Sequence, residues 1–286
     1  MEAIKLIECP RDAIQGYQTP IDTTMKIAYY QMLLKVGYHT LDCGSFVNPK
    51  AIPQMADTAA VIKGLDISDT QTKLLTIVAN LRGAEEAVKF DKIHYLGYPF
   101  SVSENFQVRN TGKTIAESLT VLKHINELTL RHKKELVVYL SMGFGNPYGD
   151  PWSTSIIKDW IAELADLGIK IISLSDTVGS AKTEDIDLLF TALIKAYPKL
   201  EFGAHFHSPP DKWYAKVNAA YLAGCKRFDG TVKGRGGCPM AHDELVGNIP
   251  MEKLISYLTS QQILPKNLNN LAFESAFNFF TQNFYL

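Results

Sequence analysis

The chain has 286 residues, 46% of them hydrophobic and 21% charged, an ordinary globular composition at a length that fits two small domains or one large one. Its 29 Lys and Arg balance 30 Asp and Glu, so charge gives no argument for nucleic acid or an acidic membrane as a partner. No run approaches membrane-spanning length, and four scattered cysteines, Cys9, Cys43, Cys225 and Cys238, are too few for a disulfide framework, which points to a reducing cytoplasm.

The amino-terminal stretch meets acids at Glu2 and Glu8 and lacks a long apolar region, so no secretory signal is expected. Short β-type runs then come at IKLIEC (4–9), YHTLDC (38–43), KLLTIVAN (73–80), KIHYLGYP (92–99), ELVVYLSM (135–142), KIISLSD (170–176), EFGAHFH (201–207) and KRFDGTV (226–232). Between them lie segments of helical period, such as Ile156, Ile157, Trp160, Ile161 and Leu164, which end at Gly168 where a left-handed cap is expected. Similar segments end at Gly37 and Gly224. Strand and helix alternate with no Gly/Ser-rich linker between them. That predicts one α/β domain, a (β/α)8 or TIM barrel over about 1–250 with a helical extension over about 251–286.

A barrel of this kind builds its active site at the carboxyl ends of the strands. Polar residues fall there in number: Arg11 and Asp12 after the first strand, Asp42 and Ser45 at the second, Asn80 at the third, Asp176 and Thr177 at the sixth. The seventh ends with His205 and His207, two positions apart, so alternation turns both imidazoles to one face while Phe202 and Phe206 turn to the other. Two histidines on one face can share a metal ion, although a buried pair needs none. After the last strand comes KGRGGCPMAHDELVGN (233–248), with four glycines and one cysteine. By itself this reads as a tight turn carrying a small apolar side chain.

Taken in order, ECPRDAIQ, LDCGSFVNPKAIPQM, SLSDTVG, HFH and GRGGCP resemble the 3-hydroxy-3-methylglutaryl-CoA lyases. These are metal-dependent barrels, related to isopropylmalate and homocitrate synthases and to hydroxy-oxovalerate aldolase, and the likeness runs along nearly the whole chain. The resemblance implies that Asp12, His205, His207 and Asn248 hold a divalent cation, Mg²⁺ or Mn²⁺, and that an acyl-CoA is split into acetyl-CoA and acetoacetate. It further implies that His205 removes the hydroxyl proton, Arg11 stabilises the charge on the thioester oxygen, and Cys238 protonates the new carbanion. Asp42 and Asp176 would support this chemistry, with Asp176 behind a ligand histidine or Arg11, and Gln15 and Ser45 would touch substrate. A homodimer is expected by the same analogy.

The chain departs from the family pattern at four places. Asp42 stands where the family has Glu, and Ser208-Pro209-Pro210-Asp211 replaces an Asp-Thr-Tyr-Gly turn. The segment from Cys238 to Asn248 is one residue longer, and Gln15 is followed by Gly16 and Tyr17 instead of Asn and Glu. These changes spare the implied ligands and alter what surrounds the substrate. An acetyl-CoA-dependent synthase, a 4-hydroxy-2-oxo acid aldolase and a non-catalytic metal-binding barrel stay open as alternatives.

Overall fold

The computed structural model describes residues 3–237 and 246–284. Among these, eight parallel strands close into a barrel in chain order: β1 (Lys5–Glu8), β2 (Thr40–Ser45), β3 (Lys73–Ile77), β4 (Ile93–Ser101), β5 (Glu135–Ser141), β6 (Ile171–Asp176), β7 (Glu201–Phe206) and β8 (Arg227–Gly230). Pairing of Lys5 with Arg227 and of Ile7 with Asp229 seals the seam. The helices are α1 (Pro10–Ile14), α2 (Thr23–Leu34), α3 (Thr58–Gly64), α4 (Leu81–Ala87), α5 (Glu104–Thr111), α6 (Ile115–Arg131), α7 (Thr154–Asp166), α8 (Thr183–Ala196), α9 (Trp213–Leu222), α10 (Met251–Ser260) and α11 (Asn270–Asn283).

Strand alternation divides the apolar residues into two cores. Leu74, Leu96, Val138 and Ile172 face outward into the layer beneath the helices. Their neighbours Leu75, Tyr95, Val137, Tyr139 and Ile171 pack against one another as an inner plug. From outside, α7 buries Ile157, Ile161 and Leu164 completely, each contributing roughly 1.5–3 kcal/mol by transfer from water. Gly37, Gly168 and Gly224 all take the left-handed conformation expected of them, with φ of 85°, 80° and 102°.

After β8 the described chain continues as two α-helices, α10 and then α11 as a further addition. That addition, α11, lies on α2, where Phe280 and Phe284 bring their rings to 5.3 and 5.1 Å from Tyr29. Several strands are shorter than their apolar runs. Asn80 lies beyond β3 and caps α4, its side chain accepting from Gly83 N at 2.8 Å.

Candidate active site

β1 runs directly into α1, whose first residue is Pro10, pre-set in φ and with no N–H to satisfy. One helical turn then gathers a polar group at the barrel mouth. Arg11 Nη1 donates to Asp12 Oδ1 at 2.9 Å and to Gln15 Oε1 at 3.1 Å, and Gln15 Nε2 donates to Asp12 Oδ1 at 2.6 Å. Arg11 also crosses to β2, where Nε and Nη2 reach Asp42 Oδ2 at 3.0 and 2.5 Å.

Two carboxylates thus share one guanidinium, and their surroundings push them apart. Burial raises Asp12, but the charges of Arg11, His207 and His205 outweigh it and hold the group below its usual range. At fully buried Asp42 desolvation outweighs Arg11, and its carboxyl is pushed up to about 6. Arg11 itself stays protonated, because the two carboxylates overcome its own burial.

β7 delivers the histidines. The ligand atoms of Asp12, His205 and His207 all lie within 4.8 Å of one another. His207 Nδ1 donates to Thr177 O at 2.8 Å, which leaves its Nε2 buried without a partner, 4.0 Å from Asp12 Oδ2. His205 Nδ1 donates to Asp229 Oδ2 at 3.0 Å. Asn248 is brought alongside by an antiparallel bridge to His207, and its Nδ2 donates to Asp12 Oδ2 at 2.5 Å. A buried carboxylate, two imidazoles and a neighbouring amide, with one ring nitrogen unpartnered, fit a divalent cation of the Mg²⁺ or Mn²⁺ kind.

Arg11, Asp12, Gln15, His205 and His207 line a cavity of about 380 Å³. Other expected residues lie elsewhere. Ser45 borders the adjoining cavity of about 340 Å³, with its Oγ buried and unpartnered. Asp42 does not line the first cavity; its carboxylate holds the Arg11 guanidinium from β2. Asp176 bonds neither Arg11 nor His205. Its carboxylate accepts from Lys216 Nζ at 2.6 Å and from Ala181 N, and it reaches His207 through the backbone. Cys238 lies outside the described residues.

The sequence reading missed Asp229, Lys216 and the Thr177 carbonyl. Lys216 bonds Asp176, Gly179 O and His207 O, so it ties the backbone after β6 to that after β7. Asp229 had a visible signal in the polar alternation Arg227, Asp229, Thr231, which turns those side chains into the barrel.

The HMGL-like family model matches residues 4–279. The chain belongs to the HMGL-like family. Hydroxymethylglutaryl-CoA lyase YngG of Bacillus subtilis is 31% identical over 259 residues, 91% of this chain and 85% of that one. A 3-hydroxy-3-isohexenylglutaryl-CoA/hydroxymethylglutaryl-CoA lyase of Pseudomonas aeruginosa is 31% identical over 263 residues, covering 91% and 86%. Among solved structures, an HMG-CoA lyase of Acinetobacter baumannii in complex with coenzyme A and 3-methylmalate superposes with a TM-score of 0.88 at 28% identity, covering 96% of this chain and 89% of that one. In this HMGL-like chain no described helix is long and apolar enough to cross a membrane, and Cys9, Cys43 and Cys225 are buried free thiols.

Proposed function

We propose that this HMGL-like barrel is a divalent-metal-dependent carbon–carbon lyase that splits a 3-hydroxy-3-methylglutaryl-CoA-type thioester into acetyl-CoA and acetoacetate. The observation that carries the reading is the convergence of Asp12, His205 and His207 donors within 4.8 Å, on the cavity that also receives the Arg11 guanidinium. Asp12, His205, His207 and Asn248 would hold Mg²⁺ or Mn²⁺, which supplies Lewis-acid polarisation of the substrate hydroxyl.

The hydroxyl gives its proton to His205 Nε2 or, where that nitrogen holds the cation, to solvent water in the cavity; its electron pair forms the ketone of acetoacetate, and the C2–C3 pair passes to the acetyl carbon and its thioester oxygen. Arg11 is fixed by Asp42 from behind and carries a permanent charge, so it stabilises that oxygen with no reorganisation at the moment of reaction. Asp229 occupies one nitrogen of His205, so the ring offers Nε2 either to the cation or to the hydroxyl proton, and the cluster with Asp12 and His207 favours the cation. Cys238 is the proposed proton donor to the acetyl carbon. Both described ends of the segment that carries it meet Asp12: a Cβ on Gly236 would collide with the Asp12 carbonyl oxygen, and Asn248 bonds the Asp12 carboxylate. An acyl-CoA substrate, a homodimer and a cytoplasmic setting belong to the same reading. The names of the relatives above, which carry coenzyme A thioesters, support the first of these.

The test is a panel of 3-hydroxy acyl-CoAs offered with Mn²⁺, with products identified by mass. Stoichiometric acetyl-CoA and a 3-oxo acid support the reading. Thiol release from acetyl-CoA plus a 2-oxo acid, with no cleavage, would replace it with a synthase.

A further inference from the structure

We propose that Asp229 is a positioning residue, holding the ring hydrogen of His205 on Nδ1 so that Nε2 faces Asp12 and His207. The proposal rests on reading that cluster as a cation site. Asp229 is only 2% exposed, and its Oδ2 lies 3.0 Å from His205 Nδ1. A carboxylate only accepts, so the shared hydrogen resides on Nδ1, and in the neutral ring the other nitrogen is then bare.

The same logic applies at His207, where the acceptor is the Thr177 carbonyl. The two rings are therefore set in one tautomer by acceptors from β8 and from the residue that follows β6. At His207 the acceptor is backbone and fixed, whereas at His205 it is a side chain. Tyr139 packs against the His205 ring in an edge-to-face arrangement, at 5.3 Å between centroids, so rotation of the imidazole is opposed by packing as well as by the bond. Asp229 is presented there by its register with Ile7 on β1, one step along the inward face of β8 from Arg227. Cys9 forms a second cluster with His205 and Asp229 within the same 4.8 Å. A cation there would replace the hydrogen bond, and metal stoichiometry separates the two arrangements.

The experiment titrates Mn²⁺ into the whole chain and into Asp229→Asn, following free Mn²⁺ by electron paramagnetic resonance, with melting curves on both. An amide can turn its N–H toward Nδ1 and favour the opposite tautomer, so the folded variant should bind Mn²⁺ roughly 10–100-fold more weakly. Parental affinity in a folded Asp229→Asn chain would overturn the proposal. So would two Mn²⁺ per parent chain of which the variant loses one and keeps the other at full affinity, since the Cys9 cluster would then hold it. A second measurement needs no variant of Asp229. In the ¹⁵N-histidine-labelled parent, at a pH where the ring has become neutral, the resonance lost in His205→Gln should report an Nδ1–H tautomer, and an Nε2–H tautomer would refute the assignment. A parent that binds no Mn²⁺ would refute the cation reading of the cluster, and the tautomer measurement would still decide the role of Asp229.

Discussion

At the scale of single residues, Arg11 carries the electrostatics of the site. Its proposed contribution is made as negative charge reaches the thioester oxygen, so Arg11→Met should lower kcat by at least about a hundredfold. Normal turnover in that variant would remove Arg11 from the mechanism. The same substitution strips Asp42 of its counter-charge, so some loss of melting temperature is expected as well. Asp42 also makes a pH-dependent prediction. Its carboxyl sits at about 6 in the fold against an ordinary 3.8, so below about pH 4 it is protonated in both states. As pH rises the unfolded chain releases the proton first, and stability on the order of 3 kcal/mol is lost by the time pH passes 6. Asp42→Asn lacks this loss. Its melting temperature relative to the parent should therefore climb between pH 4 and 6.5 and then level, and a difference that is flat across that range would contradict the burial argument.

Elements explain why part of the site was legible in the sequence and part was not. Alternation along EFGAHFH puts both histidines on one face, and the polar ends of β1 and β2 fall at the mouth because parallel barrels place them there. Asp229 escaped because the strand signal in KRFDGTV says nothing of what its inward polar residues meet across the barrel. Asp176 was visible as a polar strand end, but its partner Lys216 comes from α9, forty residues later in the chain, a pairing that only the packed barrel defines. The segment after β8 yields two predictions. Gly236 has a φ of 93° and lies against the Asp12 backbone, so Gly236→Ala should displace α1 and weaken Mn²⁺ binding at least about tenfold. Unchanged binding would show that α1 tolerates the shift. Cys238→Ser should keep metal and substrate binding and lose most of the cleavage rate, because a hydroxyl is a far weaker acid than a thiol. Cleavage at the parental rate would reduce the cysteine to a packing residue.

For the molecule as a whole, the barrel itself was the most readable feature, since eight apolar runs separated by helical segments leave few other ways to bury both faces of a parallel sheet. The fold places three side chains able to hold a cation, an arginine and a cavity at one mouth, and metal-dependent cleavage is the claim that joins them. The most direct test is to strip the enzyme with a chelator, verify the metal content, and follow acetoacetate release from 3-hydroxy-3-methylglutaryl-CoA before and after adding Mg²⁺ or Mn²⁺. The account predicts no turnover in the stripped enzyme and recovery on adding either ion. Full acetoacetate release from a sample verified to hold no metal would contradict it.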